Sequence, residues 1–175
     1  MRINEINLNK IAKFVSDNKY RTQLQNISIK PVGDNEIEIA ATDGGALCVM
    51  RRKLSDGEEA PKQAIMFKLP KIKKGLTLLE IKDGDKISIV NNGNTFLVPL
   101  EQGQFPKYEV IIPANVEKLP LASDFAYFKW EYLKKMEDII FFNKHPRAEK
   151  ALSPHFWIEK EGDTKWTVVI MPIKI

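Results

Sequence analysis

The chain has 175 residues, 43% hydrophobic and 29% charged, enough for one domain with a sizeable core, alone or with a satellite unit. No apolar run reaches the ~18 residues of a membrane span, and Met1-Arg2-Ile3-Asn4-Glu5 lacks a signal peptide's apolar stretch, so membrane and secreted classes are not expected. The net charge of +4 permits contact with a polyanion, and the single cysteine, Cys48, excludes an intrachain disulfide and fits a reducing, cytoplasmic compartment.

Three successive units follow, each reading as strand, short helix and further strands. The first opens on Arg2 to Leu8, where apolar residues alternate. Asn9 is placed to cap a short helix carrying Ile11, Ala12, Phe14 and Val15. Gln25 to Pro31 is expected to be a strand, and Gly33-Asp34-Asn35 a turn. Glu36 to Thr42 alternates strictly and should be half-buried. Asp43-Gly44-Gly45 turns the chain into a strand over Ala46 to Lys53.

In the second unit Gln63 to Phe67 reads as a strand. Leu69 to Gly75 reads as a short helix with Pro70 in its first turn. Strands are expected at Leu76 to Lys82, Lys86 to Val90 and Thr95 to Leu100. Asn92-Gly93 between the last two is a hairpin signal, because a type I′ turn needs positive φ at both positions. Gln104 to Pro113 has two prolines around a short apolar run and suits a linker or domain edge, not a central strand.

The third unit runs from Leu119 to Ile175. It carries an extended Ala122 to Phe128, a helix over Lys129 to Asp138, a short strand over Ile139 to Phe142 and a loop over Asn143 to Ser153. A hairpin of Phe156 to Glu159 and Lys165 to Ile175 closes it around Glu161-Gly162-Asp163.

Catalytic constellations are not found in the sequence. His145 and His155 read as surface residues with poor zinc spacing. Cys48 reads as a small buried hydrophobe. There is no phosphate-cradling glycine loop ending in Lys-Ser or Lys-Thr, and Asp83-Gly84-Asp85 reads as a hairpin turn. No enzymatic activity, metal or cofactor is expected.

Several phrases, in order, carry a resemblance. Gln102-Gly103-Gln104-Phe105-Pro106-Lys107-Tyr108 is followed by Val110-Ile111-Ile112-Pro113. The C-terminus reads Val168-Val169-Ile170-Met171-Pro172-Ile173-Lys174-Ile175. Arg21 to Ile27 with Ala41-Thr42-Asp43, Phe128 to Leu133, and Ser153-Pro154 add to these. Together they resemble the bacterial DNA sliding clamp, the ring-forming beta subunit of DNA polymerase III. The resemblance implies an α+β DNA-clamp fold of repeated strand-helix-three-strand modules with antiparallel sheets. Residues 1–113 would form a clamp-like domain of two modules. Residues 114–175 would be a third, similar to the second half of a terminal clamp domain. Such clamps carry six modules per subunit, so this chain would be a short or minimal homologue.

The implied role is that of a processivity factor that encircles or contacts duplex DNA without reading its sequence and tethers replication proteins. Helix placement nominates Lys10, Lys13, Lys19, Arg21, Lys71, Lys73, Lys74, Lys134 and Lys135 as phosphate contacts, with Arg21 also matching a family motif position. The motif match nominates Pro113, Val116, Met171, Pro172 and Ile173 as a pocket for clamp-binding peptides of a DNA polymerase or other partner. A homo-oligomer is implied, and four copies of three modules would complete a twelve-module ring. The alternative is a clamp-like interaction module, of phage or mobile-element type, that binds replication partners without encircling DNA.

Overall fold

Alternating apolar residues build most of the strands, and tight turns join them. The structure, a computed structural model, describes residues 2–6, 8–73, 77–82, 84–122, 126–137, 139 and 145–173. In chain order the described strands are β1 (Arg2–Ile6), β2 (Ile27–Val32), β3 (Glu36–Thr42), β4 (Ala46–Lys53), β5 (Ile65–Phe67), β6 (Thr77–Lys82), β7 (Lys86–Asn91), β8 (Asn94–Pro99), β9 (His155–Glu161) and β10 (Thr164–Ile170). The described helices are α1 (Leu8–Ala12) and α2 (Trp130–Lys135). Short 3-10 turns occupy Thr22–Gln25, Tyr108–Val110 and Val116–Lys118.

The strands form two antiparallel sheets, ordered β1-β6-β7-β8 and β5-β2-β3-β4-β10-β9. The first two units exchange their opening strands: β1 pairs with β6, and β5 pairs with β2. Neither unit therefore completes a sheet alone. The third unit extends the larger sheet, with β10 paired along β4 from Thr164 opposite Arg52 to Ile170 opposite Ala46. The β7–β8 hairpin turns at Asn92 (φ 48°) and Gly93 (φ 79°), as the Asn-Gly pair requires.

The six-stranded sheet is covered on both faces. On the inner face Ile37, Ile39, Ala41, Cys48, Trp166, Val168 and Ile170 pack with Ile11 and Phe14 of the α1 region and with Met136 beyond α2. On the outer face Ala40, Leu47, Val49, Phe156 and Val169 pack with Tyr108 and Val116 of the segment that joins the second and third units. Each large side chain buried this way contributes about 1.5–3 kcal/mol.

Several expectations are corrected. β3 is buried on both faces rather than half-buried, because the connecting segment lies over its outer side. Asn9 does not cap α1 but sits within it, and its Nδ2 donates to the Lys73 carbonyl at 2.8 Å. Residues 69–73 form no helix. Asparagine side chains take its polar groups instead, since Asn91 Oδ1 accepts the Lys73 N–H at 3.0 Å. The helix expected over Lys129 to Asp138 covers Trp130–Lys135, and Asp138 lies outside the described residues. Of the extended segment expected over Ala122 to Phe128, 123–125 lie outside the described residues and 126–128 run outside any helix or strand. Ile139 sits in a turn; 140–142 of the strand expected there lie outside the described residues.

Candidate functional site

The helices and flanking segments that carry the nominated cations pack on the inner face of the larger sheet. Lys10 projects from α1, its ammonium 5.5 Å from the Trp166 ring centroid, a distance at which cation and π-face attract. Lys13 and Lys19 are exposed just beyond α1. Lys71 and Lys73 are exposed on the extended segment whose Leu69 and Ile72 pack against the inner cluster. Lys134 is exposed on α2. Lys74 lies outside the described residues. A groove of about 780 Å³ between the α1 region and residues 68–72 brings Lys19 and Lys71 together with Lys68.

Lys135 and Arg21 both lie against the β3–β4 turn of the first unit. Lys135 pairs with Asp43, its ammonium 5.6 Å from the Tyr132 ring centroid. Arg21 lies over the β3–β4 turn, so a Cβ on Gly44 would come within 2.9 Å of its Nη1. That turn is built by Asp43, whose Oδ1 accepts the N–H groups of Gly45 and Ala46, both at 2.9 Å. Gly44 sits at φ 94°, where an L side chain would be strained. Gly45 is required for a different reason: the Tyr132 hydroxyl occupies the space a Cβ would take. Its carbonyl also accepts the Met171 N–H at 3.1 Å. One turn of the first unit thus anchors both α2 and the end of β10.

The outer face centres on Glu38, only 6% exposed. Register places Lys30 and Arg51 opposite it on the two neighbouring strands. Lys30 Nζ lies 2.9 Å from Oε1, and Arg51 Nη2 donates to Oε2 at 2.8 Å. The Tyr108 hydroxyl donates to Oε1 at 2.5 Å. Burial alone would push the Glu38 carboxyl up, but hydrogen bonds from Tyr108, Lys30 and Arg51 outweigh it and hold it below the usual carboxylate range. Burial and the adjoining carboxylate push the Tyr108 phenol up. The same segment is held further on by Glu117, whose Oε1 lies 2.5 Å from Lys165 Nζ. Between these anchors is a cavity of about 210 Å³.

Pro113 and Val116 line that cavity with Ile112 and Ala114. Val116 is only 3% exposed, so much of its surface is used inside the outer cluster. Met171, Pro172 and Ile173 do not line it. They follow β10, with Met171 and Ile173 exposed and the Ile173 N–H donated to Tyr127 O at 2.7 Å. The sequence reading missed Leu47, Val49, Phe156 and Val169, which floor the outer cluster. Period-two alternation marks them as outward-facing, but not as covered.

Cys48 is buried, and burial pushes its thiol up. His145 is exposed, but His155 is buried, against expectation. It shares the inner side of β9 with Trp157, its ring 5.0 Å from that of Phe128. Its Nδ1–H donates to the Ser153 carbonyl at 2.9 Å, yet burial holds the imidazole below its usual range. No helix among the described residues is long and apolar enough to cross a membrane.

Bacterial sliding clamps share this fold. The DNA polymerase III beta subunit of Thermotoga maritima superposes with a TM-score of 0.67 at 11% identity, covering 100% of this chain and 65% of that one. The Helicobacter pylori beta clamp bound to a DNA ligase peptide gives 0.69 at 15% identity, covering 99% and 66%. A Pseudomonas aeruginosa sliding clamp bound to griselimycin gives 0.67 at 13%, covering 100% and 66%. The chain thus spans less than two thirds of these clamps. No protein-family model matches the sequence, and no curated protein matches it either.

Proposed function

We propose that this chain, having the fold of a bacterial sliding clamp, acts as a non-catalytic processivity scaffold on duplex DNA. One observation carries the reading: α1, α2 and the segment over 68–73 all lie on the inner side, and exposed lysine stands on or just beyond each. Lys10, Lys13, Lys19, Arg21, Lys71, Lys73, Lys134 and Lys135 would meet phosphates there; Lys74, nominated with them, lies outside the described residues. Such contacts position a protein on a duplex without reading sequence. Being salt-sensitive, they also let it slide.

Residues 1–113 would act as a two-module domain and 114–175 as a third module. The scaffold would work as a homo-oligomer in the cytoplasm, with a tetrameric ring completing twelve modules. On the outer side Pro113 and Val116, with Met171, Pro172 and Ile173 at the end of β10, would receive an apolar peptide from a DNA polymerase or another clamp-binding partner. The H. pylori clamp holding a DNA ligase peptide supports this mode.

The test is retention on DNA of different topology together with mass in solution. The proposal expects an oligomer that stays on nicked circles and is lost when the circles are linearised. A monomer at high concentration, with equal retention on both forms, would overturn it. The chain's shorter span favours one second reading, a clamp-like module that binds replication partners without encircling DNA. That module would capture clamp-binding peptides as a monomer and keep doing so after charge reversal at Lys10, Lys13 and Lys73.

A further inference from the structure

We infer that Tyr20, next in sequence to the groove-lining Lys19, stacks on the bases of unpaired nucleic acid. The inference rests on the nucleic-acid reading of the inner side and narrows it to a strand type and a residue. Tyr20 is 98% exposed, the highest value among the exposed large hydrophobics. A phenol ring left wholly in water forgoes the gain of burial.

Its loop is firmly built. The Ser16 N–H donates to Leu24 O at 2.8 Å, and the Arg21 N–H to Asn18 O at 3.1 Å. The Tyr20 N–H donates to Asn18 Oδ1 at 2.9 Å, and Gln25 Nε2 to Asn18 O at 3.0 Å. The backbone on which the ring stands is therefore ordered before any ligand arrives, which reduces the entropy lost on binding.

Charge around the ring selects the ligand. Lys19 and Arg21 flank Tyr20, and both are exposed. The adjoining groove carries Lys19, Lys68 and Lys71 against a single carboxylate, Asp17. An aromatic face beside a cationic groove is what a single strand needs: bases stack on the ring while their phosphates track the ammonium groups. A duplex buries its base faces in its own stack, so Tyr20 adds little to duplex binding. Such a site suits the unpaired template beside a primer end.

Fluorescence anisotropy with labelled oligothymidylate, and with a duplex of equal length, tests this. Tyr20→Leu is expected to weaken oligothymidylate binding about tenfold and leave duplex binding unchanged, while Tyr20→Trp retains both. Lys68→Glu with Lys71→Glu is expected to weaken both ligands. If the lysine pair weakens binding but Tyr20→Leu matches the parent protein on oligothymidylate, or weakens both ligands equally, stacking is refuted and the cationic face stands. If the parent protein binds neither ligand, the reading of the face falls and the inference with it.

Discussion

Replacing Glu38 with alanine is expected to destabilise the fold by about 3 kcal/mol, the lower end for breaking a buried ion pair. The lower end applies because the partners are unequally buried: the side chains of Lys30 and Arg51 keep 23% and 46% exposure. The substitution also strands the Tyr108 hydroxyl, which is buried with Glu38 as its acceptor. For a chain of this length the loss lowers Tm by roughly 6–12 °C. Tyr108→Phe removes only the phenol's hydrogen bond and should cost about 1 kcal/mol. Urea melts of the three proteins measure both differences. The pH dependence has a fixed sign. The folded Glu38 carboxyl titrates below its ordinary value of 4.5, so its contribution is complete above that value. It is lost as pH falls through the folded value. Glu38→Ala should therefore lose part of the parent protein's acid sensitivity. Equal stability of parent and variant at neutral pH would show that the cluster does not hold the connecting segment to the sheet.

Reversing Lys13, Lys73 and Lys134 to glutamate together is expected to abolish most duplex binding at moderate salt. The three come from different units, and each is exposed. Each phosphate contact contributes about 0.9 to the slope of log affinity against log salt, so losing three flattens that slope by about 2.7. Melting temperature should change little, since exposed substitutions away from packed features seldom matter. An unchanged salt slope would place the DNA contact elsewhere on the protein.

How far these features can be read from sequence differs with the range of the interaction. β3 follows from its alternation and β4 from the return of the chain after Asp43-Gly44-Gly45, and the β7–β8 turn follows from Asn92-Gly93. Their pairing also makes Glu38 opposite Arg51 legible, because register in a hairpin is set by its turn. The exchange of β1 and β5 between units is not legible in the same way. It joins Ile3 to Leu79 and Ile27 to Phe67, pairs no local pattern specifies. The helix expected at Leu69 is absent over 69–73, where the remote Asn9 and Asn91 side chains take the Lys73 carbonyl and N–H. The lysines were recognisable as a class, but the Lys135–Asp43 pair spans two units and appears only once α2 docks. His155 reads as exposed from sequence because its neighbour Phe128 is remote along the chain. Tyr20 carried no periodic signal at all. Its significance lies in its exposure, which only the folded loop establishes.

Chemical acetylation of lysines with and without bound duplex tests the central claim most directly. Lys13, Lys73 and Lys134, which accompany the helices and the segment over 68–73, are expected to lose reactivity when DNA is present. Lys107, Lys118 and Lys160 on the outer side should react as before. Protection confined to the outer lysines, or shared equally by both sets, would contradict a phosphate-binding surface formed by the helix-bearing side of the sheet.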